Sequence, residues 1–146
     1  FNYPTNLAVT PSGELLVTAG YGNARVHHFS AGGELLGSWG VPGDGPGQFQ
    51  IPHGIAIDAR GLVYIADREN SRIQRFDLDG RYVDEWTDVV RPCEVFVTGD
   101  GTIYVAERGE RADDVLPLSD EAFHSLPLSA QPLFDHIRVG REVLPG

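Results

Sequence analysis

The 146-residue sequence contains no methionine, and cysteine occurs once, as Cys93. A single cysteine excludes an internal disulfide and leaves the redox compartment open, since a secreted all-β domain need not use disulfides. Positive charge is scarce: 11 Lys and Arg face 21 Asp and Glu, for a net charge of −10. A phosphate-binding surface needs a basic face, so no nucleic-acid partner is expected. No apolar run approaches the roughly 20 residues of a membrane-spanning helix, and no membrane partner is expected either. Helical periodicity is missing across residues 1–109. Gly-x-Ser-x-Gly and His-Glu-x-x-His motifs are absent as well.

Glycine and proline, by contrast, are plentiful: 18 and 10 residues in a chain that is 41% apolar. They punctuate short segments, as in all-β proteins, and the segments repeat. Setting Phe1–Gly40 above Phe49–Asp88, with one extra residue near Gly20, superposes Phe1 on Phe49, Pro4 on Pro52 and Gly13 on Gly61. Past the insertion, Asn23 falls on Asn70, Arg25 on Arg72, Phe29 on Phe76, Gly33 on Gly80 and Trp39 on Trp86. A third copy opens at Arg91, where Pro92, Gly101, Tyr104, Ala106 and Arg108 repeat Pro52, Gly61, Tyr64, Ala66 and Arg68. The period of about 40–48 residues is that of a propeller blade. Because the chain opens inside a repeat and lacks methionine, it is expected to be an excised, processed or incomplete segment.

Each copy reads as four short strands. In the second copy these are Gly54–Asp58, Leu62–Ala66, Arg72–Phe76 and Tyr82–Trp86, with turns at Ala59-Arg60-Gly61 and Asp79-Gly80. The expected fold is all-β, a partial β-propeller of four-stranded antiparallel blades, with a β-hairpin solenoid as the alternative. Blade 1 is assigned to residues 1–48, blade 2 to 49–88 and the start of blade 3 to 89–109. Residues 110–146 lose the pattern and are expected to be irregular or weakly helical, with a short helix over Glu121–Leu126. Two and a half blades do not close a ring, so remaining blades or oligomer partners are expected to complete it.

The meander places the start of each first strand beside the end of each second strand. His53 and Arg68 therefore share one rim with their counterparts Thr5 and Tyr21 in blade 1 and Cys93 and Arg108 in blade 3. Polar side chains around a channel mouth suit a small-molecule or peptide ligand. Each residue also has a plainer reading. Arg68 and Arg108 can pair with Glu69 or Glu107, His53 can be a hydrogen-bonded loop residue, Tyr21 can be packing, and Cys93 can be a small buried hydrophobe. His27 and His28 alternate along one strand, so their rings point to opposite faces. Asp44-Gly45-Pro46-Gly47 opens no helix and is read as a connector rather than a phosphate loop.

The segments YPTNLAV…VTAGYGNAR and GPGQFQIPHGIAIDARGLVYIADRENSRIQRF resemble the NHL-repeat propeller of peptidyl-α-hydroxyglycine α-amidating lyase and its bacterial relatives. The resemblance covers roughly the first 109 residues. It implies a six-bladed propeller that releases an amidated peptide and glyoxylate, an extracytoplasmic or secreted setting, and a zinc ion held by three histidines. By motif it makes His53 one zinc ligand, Tyr21 the active-site tyrosine and Arg68 an active-site arginine. The other two histidines fall outside the repeats present here. Ala19 stands where blade 2 has Asp67, and the chain alone is expected to be inactive.

Overall fold

A computed structural model describes residues 2–108 and 137–140. Two four-stranded antiparallel sheets follow one another. The first runs β1 (Asn6–Val9), β2 (Leu15–Ala19), β3 (Arg25–Phe29) and β4 (Leu35–Trp39). A two-stranded parallel ladder of β5 (Val41–Pro42) and β6 (Gln48–Phe49) links it to the second. That sheet runs β7 (Pro52–Ile57), β8 (Val63–Asp67), β9 (Arg72–Phe76) and β10 (Tyr82–Trp86). A third sheet holds β11 (Pro92–Val97), β12 (Ile103–Glu107) and β13 (Ile137–Gly140). The chain is a partial β-propeller, with β7 packed between β1 and β11 along the inner edge. Among the described residues no helix is long and apolar enough to cross a membrane.

The repeat is visible in the backbone. The first hairpin of every blade closes with the same two bonds, for example Asp58 N to the Leu62 carbonyl at 3.0 Å and Gly61 N to the Asp58 carbonyl at 3.0 Å. The third turn residue is Gly13, Gly61 or Gly101, at φ of 85°, 83° and 84°. A side chain is strained in that left-handed region, which is why the glycine recurs. In the residue just before the repeated proline (Pro4, Pro52 and Pro92), the chain again turns left-handed, at Tyr3, Ile51 and Arg91 (φ 56°, 60° and 48°).

Alternation along the strands builds two apolar seams. Ile55, Val63, Ile65 and Phe76 face blade 1, where Leu16, Ala24 and Val26 meet them around Phe49. Tyr64, Ala66 and Ile73 face the other way, onto Val95, Ile103 and Val105 of blade 3. The period of two therefore gives a central blade two buried faces.

Three differences from the sequence reading stand out. The first strand of blade 2 begins at Pro52 rather than Gly54, so His53 lies within β7, where the register to β8 shifts between Pro52 and Ile55. The extra residue near Gly20 lengthens the connection after β2 into an α-helical turn, Gly20–Asn23, where blade 2 has a 3-10 turn, Arg68–Asn70. Within the stretch read as irregular or weakly helical, Ile137–Gly140 is a strand antiparallel to β12. Its backbone supplies the third strand that local pattern did not announce. Glu121–Leu126, His124 and His136 lie outside the described residues.

Candidate functional site

The turns that follow the second strands carry Tyr21 and Arg68 to one end of the blades, beside the starts of β7 and β11. Arg68 Nη1 donates to Tyr21 Oη at 2.9 Å, and the guanidinium carbon stands 5.3 Å from the center of the Tyr21 ring. The His53 ring meets the same tyrosine edge-on, 6.0 Å between centers. Three residues from three separate segments of two blades thus touch one another, although Tyr21 and Arg68 are 47 positions apart. Arg68 is nearly buried, while Tyr21 is 56% exposed. The cation is held from beneath and the phenol faces outward.

Arg68 is fixed by a second bond, from Nε to Glu69 Oε1 at 2.8 Å, and Arg91 Nη2 reaches the same oxygen at 2.8 Å. The hydrogen bond from Arg91, followed by that from Arg68, holds the Glu69 carboxyl below its usual range against the effect of burial. Arg68 therefore has both the plain role of pairing with Glu69 and the contact with Tyr21. Sequence reasoning named Glu69 as a partner of Arg68 but missed Arg91. The position before each Pro-x step, where Arg91 aligns with Tyr3 and Ile51, was the signal available.

His53 Nδ1 lies 2.8 Å from the Cys93 carbonyl. A carbonyl only accepts, so Nδ1 carries the proton and Nε2 keeps its lone pair. Burial lowers the pKa of His53 against the opposing Cys93 carbonyl, and Arg68 lowers it further, which favors the neutral ring. Burial pushes the Cys93 thiol up despite Arg68, Arg108 and Arg91 nearby, so Cys93 is not a poised thiolate. Its backbone carbonyl holds the His53 ring, while its sulfur lies 3.6 Å from the Arg91 carbonyl.

Two other predicted rim residues behave differently. Thr5 Oγ1 lies 2.8 Å from the Pro52 carbonyl and 2.9 Å from Thr18 Oγ1, and Thr18 Oγ1 lies 2.9 Å from the His53 carbonyl. Thr5 thus serves the seam between blades 1 and 2. Arg108 is exposed, and its backbone N–H donates to the Arg91 carbonyl at 3.1 Å, as Arg68 N does to Ile51 at 3.2 Å. His27 and His28 diverge as expected, toward Ser38 Oγ at 2.8 Å and Glu14 Oε2 at 2.9 Å.

The donor chemistry can be tested against zinc. A neutral imidazole with a bare Nε2, oriented by a carbonyl on Nδ1, is suited to a metal ligand. Among the described residues no three His, Cys, Asp or Glu side chains converge into a metal-binding group, whereas catalytic zinc usually takes three protein ligands. The described residues fit one corner of such a site and not the whole.

Comparison with known proteins agrees with this anatomy. Residues 49–76 match the NHL repeat. The chain is 42% identical over 85 residues to peptidyl-glycine alpha-amidating monooxygenase of Mus musculus, covering 54% of this chain and 9% of that protein. It is 36% identical over 107 residues to NHL repeat-containing protein 3 of Homo sapiens, covering 69% and 31%. It is 37% identical over 79 residues to the probable peptidyl-alpha-hydroxyglycine alpha-amidating lyase pgal-1 of Caenorhabditis elegans, covering 52% and 23%. The chain therefore spans between 9% and 31% of the length of these curated relatives. A solved streptogramin B lyase shares the fold, with a TM-score of 0.60 at 19% identity over 73% of this chain and 35% of that one.

Proposed function

We propose that this NHL-repeat propeller chain, related to the amidating lyase and monooxygenase proteins, supplies part of a lyase-type rim site. The site would cleave a peptidyl-α-hydroxyglycine to the peptide amide and glyoxylate. The observation that carries the reading is the joined triad, with Arg68 donating to Tyr21 Oη and the edge of His53 against the same ring. Tyr21 Oη already accepts from Arg68, so its own proton is left to give to a ligand or to surrender. Arg68, buried and braced by Glu69, positions that hydroxyl and places positive charge where an alkoxide or carboxylate would develop. Arg108, an exposed cation of blade 3, would meet a carboxylate in a two-pronged contact.

Zinc, when bound, would polarize a substrate oxygen. His53 Nε2 would provide one ligand, and the remaining histidines would come from other blades. On this reading the chain alone turns over no substrate. The test is a complete relative in which residues 2–108 replace the matching blades, assayed for glyoxylate with and without a chelator. Release should be lost on chelation and in H53A, and fall at least 100-fold in Y21F. Activity indifferent to both His53 and chelation would sink the lyase reading.

The match to NHL repeat-containing protein 3, which spans more of this chain than the matches to the amidating proteins, favors a second reading. In it the rim holds a peptide or other ligand without turnover. Calorimetry with a peptide carrying a free C-terminal carboxylate separates the two: binding that Y21F and R108A weaken, without glyoxylate from the hydroxyglycine form in the complete chimera, supports the scaffold.

A further inference from the structure

The corner at the end of the second strand is built twice in this chain, and one of the two is short of negative charge. In blade 2, Asp67 and Arg72 are register partners across β8 and β9. Arg72 Nε and Asn70 Nδ2 both donate to Asp67 Oδ2, each at 2.8 Å. Glu85 adds a second carboxylate, 2.9 Å from Arg72 Nη1. Blade 1 keeps the register, with Ala19 opposite Arg25 across β2 and β3. Asn23 and Arg25 repeat Asn70 and Arg72, but both carboxylates are gone: Ala19 replaces Asp67, and Ser38 replaces Glu85. Ser38 Oγ is engaged by His27, 2.8 Å from its Nδ1. Arg25 Nε and Asn23 Oδ1 are left buried without a partner.

We infer that blade 1 binds a small carboxylate anion, of the size of formate, at the place the Asp67 carboxyl takes in blade 2. The charge comes from Arg25, whose guanidinium has neither of the two carboxylates that Arg72 has. Burial first, and then the Arg25 charge, lowers the His27 pKa, so that charge is felt within the blade. The size comes from Ala19, which is wholly buried. What separates an alanine from an aspartate there is one carboxyl group. The donors are those that converge on one carboxylate oxygen in blade 2. A half-turn of the Asn23 amide exchanges Oδ1 for Nδ2 and completes the pair with Arg25 Nε. Leaving a buried polar group unpaired is costly, and a charge-assisted bond to a carboxylate is among the stronger ways to pair it.

The connector between blades does not compete for this position. In blade 2 its carbonyls, from Asp44, Gly45 and Gln48, meet Arg72 through Nη1 and Nη2. A corresponding connector into blade 1 would meet the same atoms of Arg25 and leave Nε to the second strand, where Ala19 stands. Bound there, the anion ties down the turn Gly20–Asn23 that carries Tyr21, as Asp67 ties down Arg68–Asn70. The site needs neither zinc nor turnover and stands whether or not the rim is a lyase.

Urea unfolding of the full chain in sodium formate tests this, with sodium gluconate holding the ionic strength constant. Gluconate is a carboxylate too large for the space of one missing carboxyl group. The folding constant should rise saturably with formate, about tenfold at ten times the half-saturating concentration. Ala19→Asp supplies the carboxylate from within, and its folding constant should not respond to formate. The Arg25 Nε–H resonance of the wild-type chain reads the same site without a substitution, should Ala19→Asp lose its fold. It is expected to move with formate to the same half-saturation and to stay in place with gluconate. A corner that holds only water gives a folding constant and a resonance that formate leaves unchanged, and either result overturns the inference. An equal response of wild type and Ala19→Asp marks a general salt effect and overturns it as well.

Discussion

Blades 1 and 2 solve the same corner of the fold with different chemistry. In blade 2, Asp67 is wholly buried and accepts from Gln50 N, Asn70 Nδ2, Arg72 Nε and Gln74 Nε2. Arg72 also bonds Glu85 and the carbonyls of Asp44, Gly45 and Gln48, so one cation ties the connector to the sheet. In blade 1, Ala19 and Ser38 stand at the positions of Asp67 and Glu85. Arg25 and Asn23 remain, and Arg25 Nε and Asn23 Oδ1 are buried without a hydrogen-bond partner. Both blades nevertheless form the same four-stranded meander. The alternation of apolar residues and the hairpin glycines therefore specify the blade. In blade 2 the buried carboxylate ties down the turn after the second strand, which carries Arg68; the corresponding turn of blade 1, which carries Tyr21, lacks it.

The largest expected effect comes from breaking the intact corner. Asp67→Ala leaves Arg72 buried beside an empty position and should cost about 3–5 kcal/mol in urea denaturation, since stranding one member of a buried pair is severe. A cost below about 1 kcal/mol would mean that the carboxylate does not organize the corner. Next is a pH effect at the inner edge. Glu94 accepts from Asn6 Nδ2 across Gly54, where a Cβ would stand 2.6 Å from Glu94 Cα. Burial pushes the Glu94 carboxyl up to about 7, against the bonds from Val95 N and Asn6. A carboxyl whose folded pKa is raised stabilizes the fold below its unfolded value and loses that contribution as pH rises through about 7. Stability should therefore fall on the order of 1–2 kcal/mol between pH 6 and 8 after screening, and Glu94→Gln should flatten the profile.

Repairing the deficient corner should have a smaller effect. Ala19→Asp returns an acceptor to Arg25 and should stabilize the chain by about 1 kcal/mol; a loss of stability would show that the extra residue in the helical turn has moved Arg25 out of reach. The smallest effect is that of Tyr21→Phe, about 0.5–1 kcal/mol, because the lost bond from Arg68 ends on an exposed hydroxyl. Together the changes at Asp67, Ala19 and Tyr21 grade the two corners from structural to functional.

Much of this was legible in the sequence. Aligned Gly, Pro, Asn-x-Arg and Trp positions gave the blades, and strands Arg72–Phe76 and Tyr82–Trp86 were read with the bounds observed. Strand geometry also brought Tyr21, His53 and Arg68 to one rim. Position alone did not reveal direction. Thr5 aligns with His53, yet its short hydroxyl turns into the seam, while the longer imidazole reaches the next blade. The Glu69 bridge between Arg68 and Arg91, and the Asn6–Glu94 contact over Gly54, join residues from different blades. Such contacts depend on how blades are spaced, which a repeat alignment does not encode. Nor did it show β13, since a strand added by backbone pairing needs no signature of its own.

The central claim is that successive strand starts hold His53 as a neutral ligand-ready imidazole beside Tyr21 and Arg68. Long-range proton–nitrogen NMR of the His53 ring at pH 7 tests it most directly. The geometry predicts the neutral Nδ1–H form, with Nε2 unprotonated and displaced in shift when zinc is added. A ring protonated on Nε2, or a charged imidazolium at that pH, would contradict the account.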